Sequence, residues 1–237
     1  MPTYRHRDTG KRFLFIHIPR TGGRFIESNL ELNGWEIEPI EVYGVSHGNW
    51  SVIDDCELAH FHKDLYEKHC ENIENIPHVC IVRNPIDKFL SASIYLKRMY
   101  GNDIQEIVED EMMFFSMLDN FPFPEAVNWF RCQVDFLTDK THVWKFENRL
   151  GSSFGNWMSE ILEVPFEVDS FATYHINSDE GINKLDRSAR LLDNIRKLYR
   201  RDIEQLYPEL AAPFQEGAEA ETQTASTPTS KSKTEPL

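Results

Sequence analysis

No stretch of the sequence approaches the ~18–20 consecutive apolar residues of a membrane span, and the opening residues, MPTYRHRDTGKR, lack the apolar centre of a secretory signal. Both absences lead to the expectation of a cytoplasmic protein with no membrane partner. Cysteine is scarce: Cys56, Cys70, Cys80 and Cys132 form no CxxC pair, which removes support for a zinc knuckle or a redox motif. Positive charge is also short overall. With 25 Lys+Arg against 39 Asp+Glu, the 237-residue chain carries a formal net charge of −14, so nucleic acid is not an expected partner. The GxxxxGK[ST] pattern is absent, and with it the ordinary P-loop NTPase. Neither an HxxxH pair nor a clear carboxylate cluster stands out, and no metal is expected.

What the sequence does contain is enough apolar material, 41% of residues, for one α/β domain over residues 1–210. Residues 211–237 are mostly Ala, Glu, Thr, Ser, Lys and Pro, with Phe214 the only aromatic, and are expected to form a disordered tail. Charge is unevenly spread. Residues 1–24 hold six basic groups and one acid, 103–120 hold six acids and no base, and 182–206 hold seven bases and four acids. Basic segments in an acidic chain suggest pieces of one anion site, or else simply solvated faces.

Short apolar runs at Phe13–Ile18 and His78–Val82 read as strands, the first of buried form, and a third strand is expected at Thr141–Phe146. Helical periodicity follows each of them, over 24–32, 86–100 and 155–162. Further helices are expected at 103–118, 125–137 and 182–206. Strands alternating with helices predict a parallel sheet covered on both faces, with ligands bound beyond the carboxyl ends of its strands.

Two turns lie at those ends. In PRTGGR (19–24) two glycines allow a tight backbone whose N–H groups can face one anion, beside the positive end of a helix. Arg20, Thr21 and Arg24 add donors. The second turn places Arg83 at a strand end, Asn84 as a helix cap, Pro85 in the first turn and Ser91 about two turns into the helix. Each alone has a structural reading: a Gly-Gly turn, a surface arginine, a small packing serine. Together they form two strand–turn–helix units, each ending in a phosphate-type donor set.

These residues resemble a known family. FLFIHIPRTGGRFIESNL is similar to the 5′-phosphosulfate loop of PAPS-dependent sulfotransferases, in the carbohydrate-type branch related to heparan sulfate 2-O-sulfotransferase. VCIVRNPIDKFLSASIYL resembles that branch's 3′-phosphate motif. The resemblance covers residues 13–30 and 78–100, with only loose similarity elsewhere. It implies a three-layer P-loop-kinase-like fold, a central parallel sheet flanked by helices. It also implies PAPS as donor and its bisphosphate PAP as product, a hydroxyl-bearing acceptor, here expected to be a carbohydrate, and no metal. Arg20, Thr21, Gly22, Gly23 and Arg24 would then face the phosphosulfate, and Arg83 and Ser91 the 3′-phosphate. Arg20 stands where the family usually has Lys, and Arg24 where a small hydroxyl residue is common.

Sulfuryl transfer to a hydroxyl needs a base, and histidine suits that task near neutral pH. Related enzymes carry a catalytic His upstream of the 3′-phosphate Arg. His60, 23 residues before Arg83, takes that place, with His62 and His47 as alternatives. Strand alternation would put His60 and His62 on one face. His17 reads as a core group, Glu27 as a surface charge, and Glu27 or Glu57 as a minor alternative base. Trp129, Phe130, Trp144 and Trp157 read as core. Two rival functions remain: a nucleotide-dependent kinase on a related fold, and a catalytically silent nucleotide-binding protein.

Overall fold

Phe13-Leu-Phe-Ile16 is apolar without interruption because both of its faces are covered. The structure, a computed structural model, describes residues 3–42, 45–47, 51–101, 111–119, 125–169 and 188–211. Its main sheet has five strands: β1 (Thr3–His6), β2 (Arg12–Ile16), β3 (Trp35–Glu38), β8 (His78–Val82) and β9 (Thr141–Lys145), in the order β3-β1-β2-β8-β9. Strands β2, β8 and β9 run parallel, whereas β1 pairs antiparallel with both β2 and β3. The sheet is therefore mixed, which corrects the expected parallel one. The five residues between β1 and β2 are too few for the crossover that a parallel pair needs. Two small hairpins, β4 (Ile40–Val42) with β5 (Val45–His47) and β6 (Val52–Ile53) with β7 (Cys56–Glu57), lie apart from this sheet.

Alternation along the strands feeds two cores. Phe13, Phe15, Val79 and Ile81 pack against Ile26 and Leu30 of α1 (Gly23–Leu32) and against Phe154, Met158 and Leu162 of α6 (Ser152–Leu162). On the other face Leu14, Ile16, Cys80 and Val82 meet Tyr66 of α2 (Lys63–His69), Phe136 and Tyr207. The result is an α/β arrangement with helices on both faces of the sheet.

A third core lies among helices alone. Phe89, Leu90 and Leu96 of α3 (Pro85–Tyr100) contact α4 (Glu111–Asp119), Phe130 of α5 (Ala126–Phe130), and Leu191, Ile195 and Leu198 of α7 (Ala189–Leu198). The helix expected over 125–137 breaks at Arg131 and resumes as a 3₁₀ turn, Gln133–Phe136. The one expected over 182–206 is two helices, α7 and α8 (Arg200–Leu206), with 182–187 outside the described residues. Residues 103–110 and the tail from 212 also lie outside them. Among the described residues no helix is long and apolar enough to cross a membrane.

Candidate functional site

The loop after β2 is fixed by conformations few residues accept. Arg20 has φ 69° and Gly22 φ 96°, both left-handed. At Gly23 a Cβ would fall 1.9 Å from His17 Nε2, so only glycine lets the helix start against that ring. The Thr21 hydroxyl donates to Ile18 O at 2.8 Å, closing the loop on itself. Thr21 is buried, and its side chain serves the turn.

The two turns singled out in the sequence meet. The Arg20 Nε–H donates to Ser91 Oγ at 3.1 Å, across 71 residues, and Arg83 Nη1 donates to Arg20 O at 3.3 Å. The Arg20 guanidinium lies over the rings of Tyr95 (4.8 Å) and Trp129 (6.0 Å), and that of Arg83 over Phe146 (4.8 Å). Burial, followed by the charges of Arg83, Arg24 and Arg98, lowers the Arg20 pKa to about 10. Four arginines thus come near one another in a chain of net charge −14, and their like charges act on Arg20.

The remaining basic residues of these segments are accounted for differently. Arg7 pairs with Glu36, Arg12 with Glu38 and Lys11 with Glu163. In the last helices Lys197 pairs with Asp193, Arg200 with Glu204 and Arg201 with Asp135. Of residues 1–24, then, Arg20 and Arg24 belong to the convergence, whereas Arg7, Lys11 and Arg12 form ion pairs elsewhere.

His60 ends the 3₁₀ turn Leu58–His60 and is buried. Its Nδ1 lies 2.8 Å from Glu125 Oε2 and 3.3 Å from Glu57 Oε2. The Glu57 N–H and the Trp129 Nε1–H also donate to Glu125, the latter at 3.2 Å, so this carboxylate is surrounded by donors. Asn128 Nδ2 donates to His60 O at 2.5 Å. Burial alone would depress the His60 pKa, but the bonds and charges of Glu125 and Glu57 outweigh it and raise the pKa. The His17 ring meets His60 edge to face at 4.7 Å, and its Nδ1 lies 3.1 Å from Glu27 Oε1. Burial lowers the His17 pKa, which keeps that imidazole neutral.

Several expectations change here. His17 is buried, in keeping with a core or structural group, and Glu27 is its partner in this cluster and not a plain surface charge. His60 and His62 do not share a strand face, because the chain leaves the 3₁₀ turn and His62 sits at the N-cap of α2. Among the described residues neither half-buried His62 nor half-buried His47, at the end of β5, takes part in the cluster. A carboxylate cluster does exist: ligand atoms of Glu57, His60 and Glu125 lie within 4.8 Å of one another, a spacing that could hold a metal ion. The N–H donors on Glu125 favour an ion pair with His60 in that place.

Comparison of the chain with protein-family models, with curated proteins and with solved structures finds no match. The geometry therefore stands on its own.

One segment touches every part of it. Glu125 holds His60, Asn128 holds the His60 carbonyl, Trp129 lies under Arg20, and Gln133 bonds the Arg83 backbone. Glu125, Asn128 and Trp129 lie at or in α5, and Gln133 opens the 3₁₀ turn that follows the break at Arg131. Glu125 and Gln133 were not visible as site residues, because their partners are 65 and 50 positions away. Trp129 was read as core, and it is 7% exposed. The one available signal was polar Glu125, Asn128 and Gln133 at helix-like spacing in a segment whose sequence reads as a single helix over 125–137.

Proposed function

We propose that this chain is a PAPS-dependent sulfotransferase with a P-loop-kinase-like donor site, transferring a sulfuryl group to an acceptor hydroxyl. The observation that carries this reading is the meeting of Arg20 with Ser91 and Arg83, 3.1 and 3.3 Å apart, at the carboxyl ends of neighbouring parallel strands. PAPS bears a 3′-phosphate and a 5′-phosphosulfate, so it calls for two anion sites within one nucleotide's reach. Arginines from the two turns supply them, beside the N-terminus of α1.

In the reaction the acceptor oxygen bonds to sulfur as the bond from sulfur to the bridging phosphate oxygen breaks. The hydroxyl proton passes to His60, and the bisphosphate leaves. Glu125 at Nδ1 leaves Nε2 of the neutral imidazole to accept that proton. Arg20 offsets charge growing on the leaving phosphate. No metal takes part. The choice of a sugar or glycan hydroxyl as acceptor rests on the resemblance of the two motifs.

Calorimetric titration with adenosine 3′,5′-bisphosphate, beside ADP and ATP with and without Mg²⁺, tests the donor site. We expect metal-independent binding of the bisphosphate that is greatly weakened, though still measurable, in Arg83→Ala. A preference for ATP with Mg²⁺ would replace this reading with that of a kinase. Bisphosphate binding with no sulfation of any hydroxyl acceptor would leave a silent nucleotide-binding protein.

A further inference from the structure

Strand β8 ends at Val82, and beyond it the backbone of Arg83 is held by a side chain. Gln133 Oε1 accepts the Arg83 N–H at 2.8 Å, and Gln133 Nε2 donates to Arg83 O at 2.8 Å. A side-chain amide matched to both polar groups of one residue does the work of a neighbouring strand. Gln133 is itself fully buried and fixed from behind. Asp202 Oδ2 accepts the Gln133 N–H at 2.9 Å and its Nε2–H at 3.3 Å, while Oδ1 accepts the Val134 N–H at 3.0 Å. On the other side Lys88, fully buried, donates to Trp129 O at 2.8 Å and Arg131 O at 3.1 Å, securing the segment that leads into Gln133.

An amide, a carboxylate and an ammonium are thus all desolvated behind one backbone residue. Apolar side chains could fill the same volume without that cost. What the polar set supplies is direction, since it fixes the frame from which the Arg83 side chain leaves.

We propose that Gln133, held by Asp202, is the positioning residue for Arg83 and thereby sets the preference of the site for a 3′-phosphorylated nucleotide. The inference rests on the nucleotide reading above, with Arg83 facing the 3′-phosphate. Neither Gln133 nor Asp202 needs to touch the ligand.

The test titrates the full chain with adenosine 3′,5′-bisphosphate and with adenosine 5′-monophosphate, which lacks the 3′-phosphate. Wild type, Gln133→Met, Arg83→Ala and the double variant are compared. Gln133→Met should weaken bisphosphate binding about tenfold and leave monophosphate binding unchanged; in the Arg83→Ala background it should cost nothing further. Equal loss for both nucleotides, or a loss fully additive with Arg83→Ala, would show a general support of the fold and overturn the proposal. If Gln133→Met does not fold, Asp202→Asn is read in its place: loss confined to the bisphosphate supports the proposal, and equal loss or no loss overturns it. A wild-type chain that fails to distinguish the two nucleotides would instead remove the nucleotide reading itself.

Discussion

A Cβ on Gly23 would lie 1.9 Å from His17 Nε2, so Gly23→Ala should destabilise the chain by about 2 kcal/mol or more in denaturant unfolding. In a His17→Ala background the same change should cost far less, because the ring it strikes is gone. At His60 the carboxylates of Glu125 and Glu57 hold the imidazole above its ordinary pKa. On the proposed reading His60 is the general base and must be neutral to act, so sulfation should rise with pH through a midpoint above the ordinary value of about 6.5. Glu125→Gln should move that midpoint down and lower kcat, which a pH–rate profile measures. The same pairing makes a contribution to stability that is fully present below the unfolded-state pKa and is lost as pH rises through the raised value. Unfolding of the Glu125→Gln variant followed across that window should show a weaker pH dependence.

Elements follow the same division between what is near in the chain and what is far. Helix α3 begins where the sequence places it: the Asn84 side chain accepts the Ile86 N–H at 3.0 Å, and Pro85 occupies the first turn. Asn84→Ala should therefore cost about 1 kcal/mol of stability, measured by thermal or chemical unfolding. Strands β2, β8 and β9 were legible because burial on both faces, or an adjoining turn, leaves a local mark. Strand β1 was not. It is four residues long, and Thr3, Arg5 and His6 leave it without an apolar run. The break at Arg131 was hidden for another reason: the backbone turns there to deliver Gln133 to Arg83 and Asp202, partners 50 and 69 residues distant. Local motifs thus announced the two turns that meet at Arg20 and Arg83, while the groups that brace them could be found only in three dimensions.

For the molecule as a whole, the notable feature is a focus of arginines within a net charge of −14. Anionic nucleotides should be drawn to that focus and repelled elsewhere, so association should slow steeply with ionic strength. Arg98→Ala should flatten that dependence in stopped-flow binding, since Arg98 adds to the field at Arg20. The bracing of Arg83 by Gln133 and Asp202 also has a meaning in time. A chain emerging from the ribosome presents β2, β8 and β9 long before α8, and sheet and loops can begin to order first. Asp202 arrives last, 69 residues after the glutamine it fixes. Nascent chains that stop short of α8 would carry both loops yet lack the anchor behind Arg83, and on the proposed reading full affinity for the nucleotide would be gained only once Asp202 has been added.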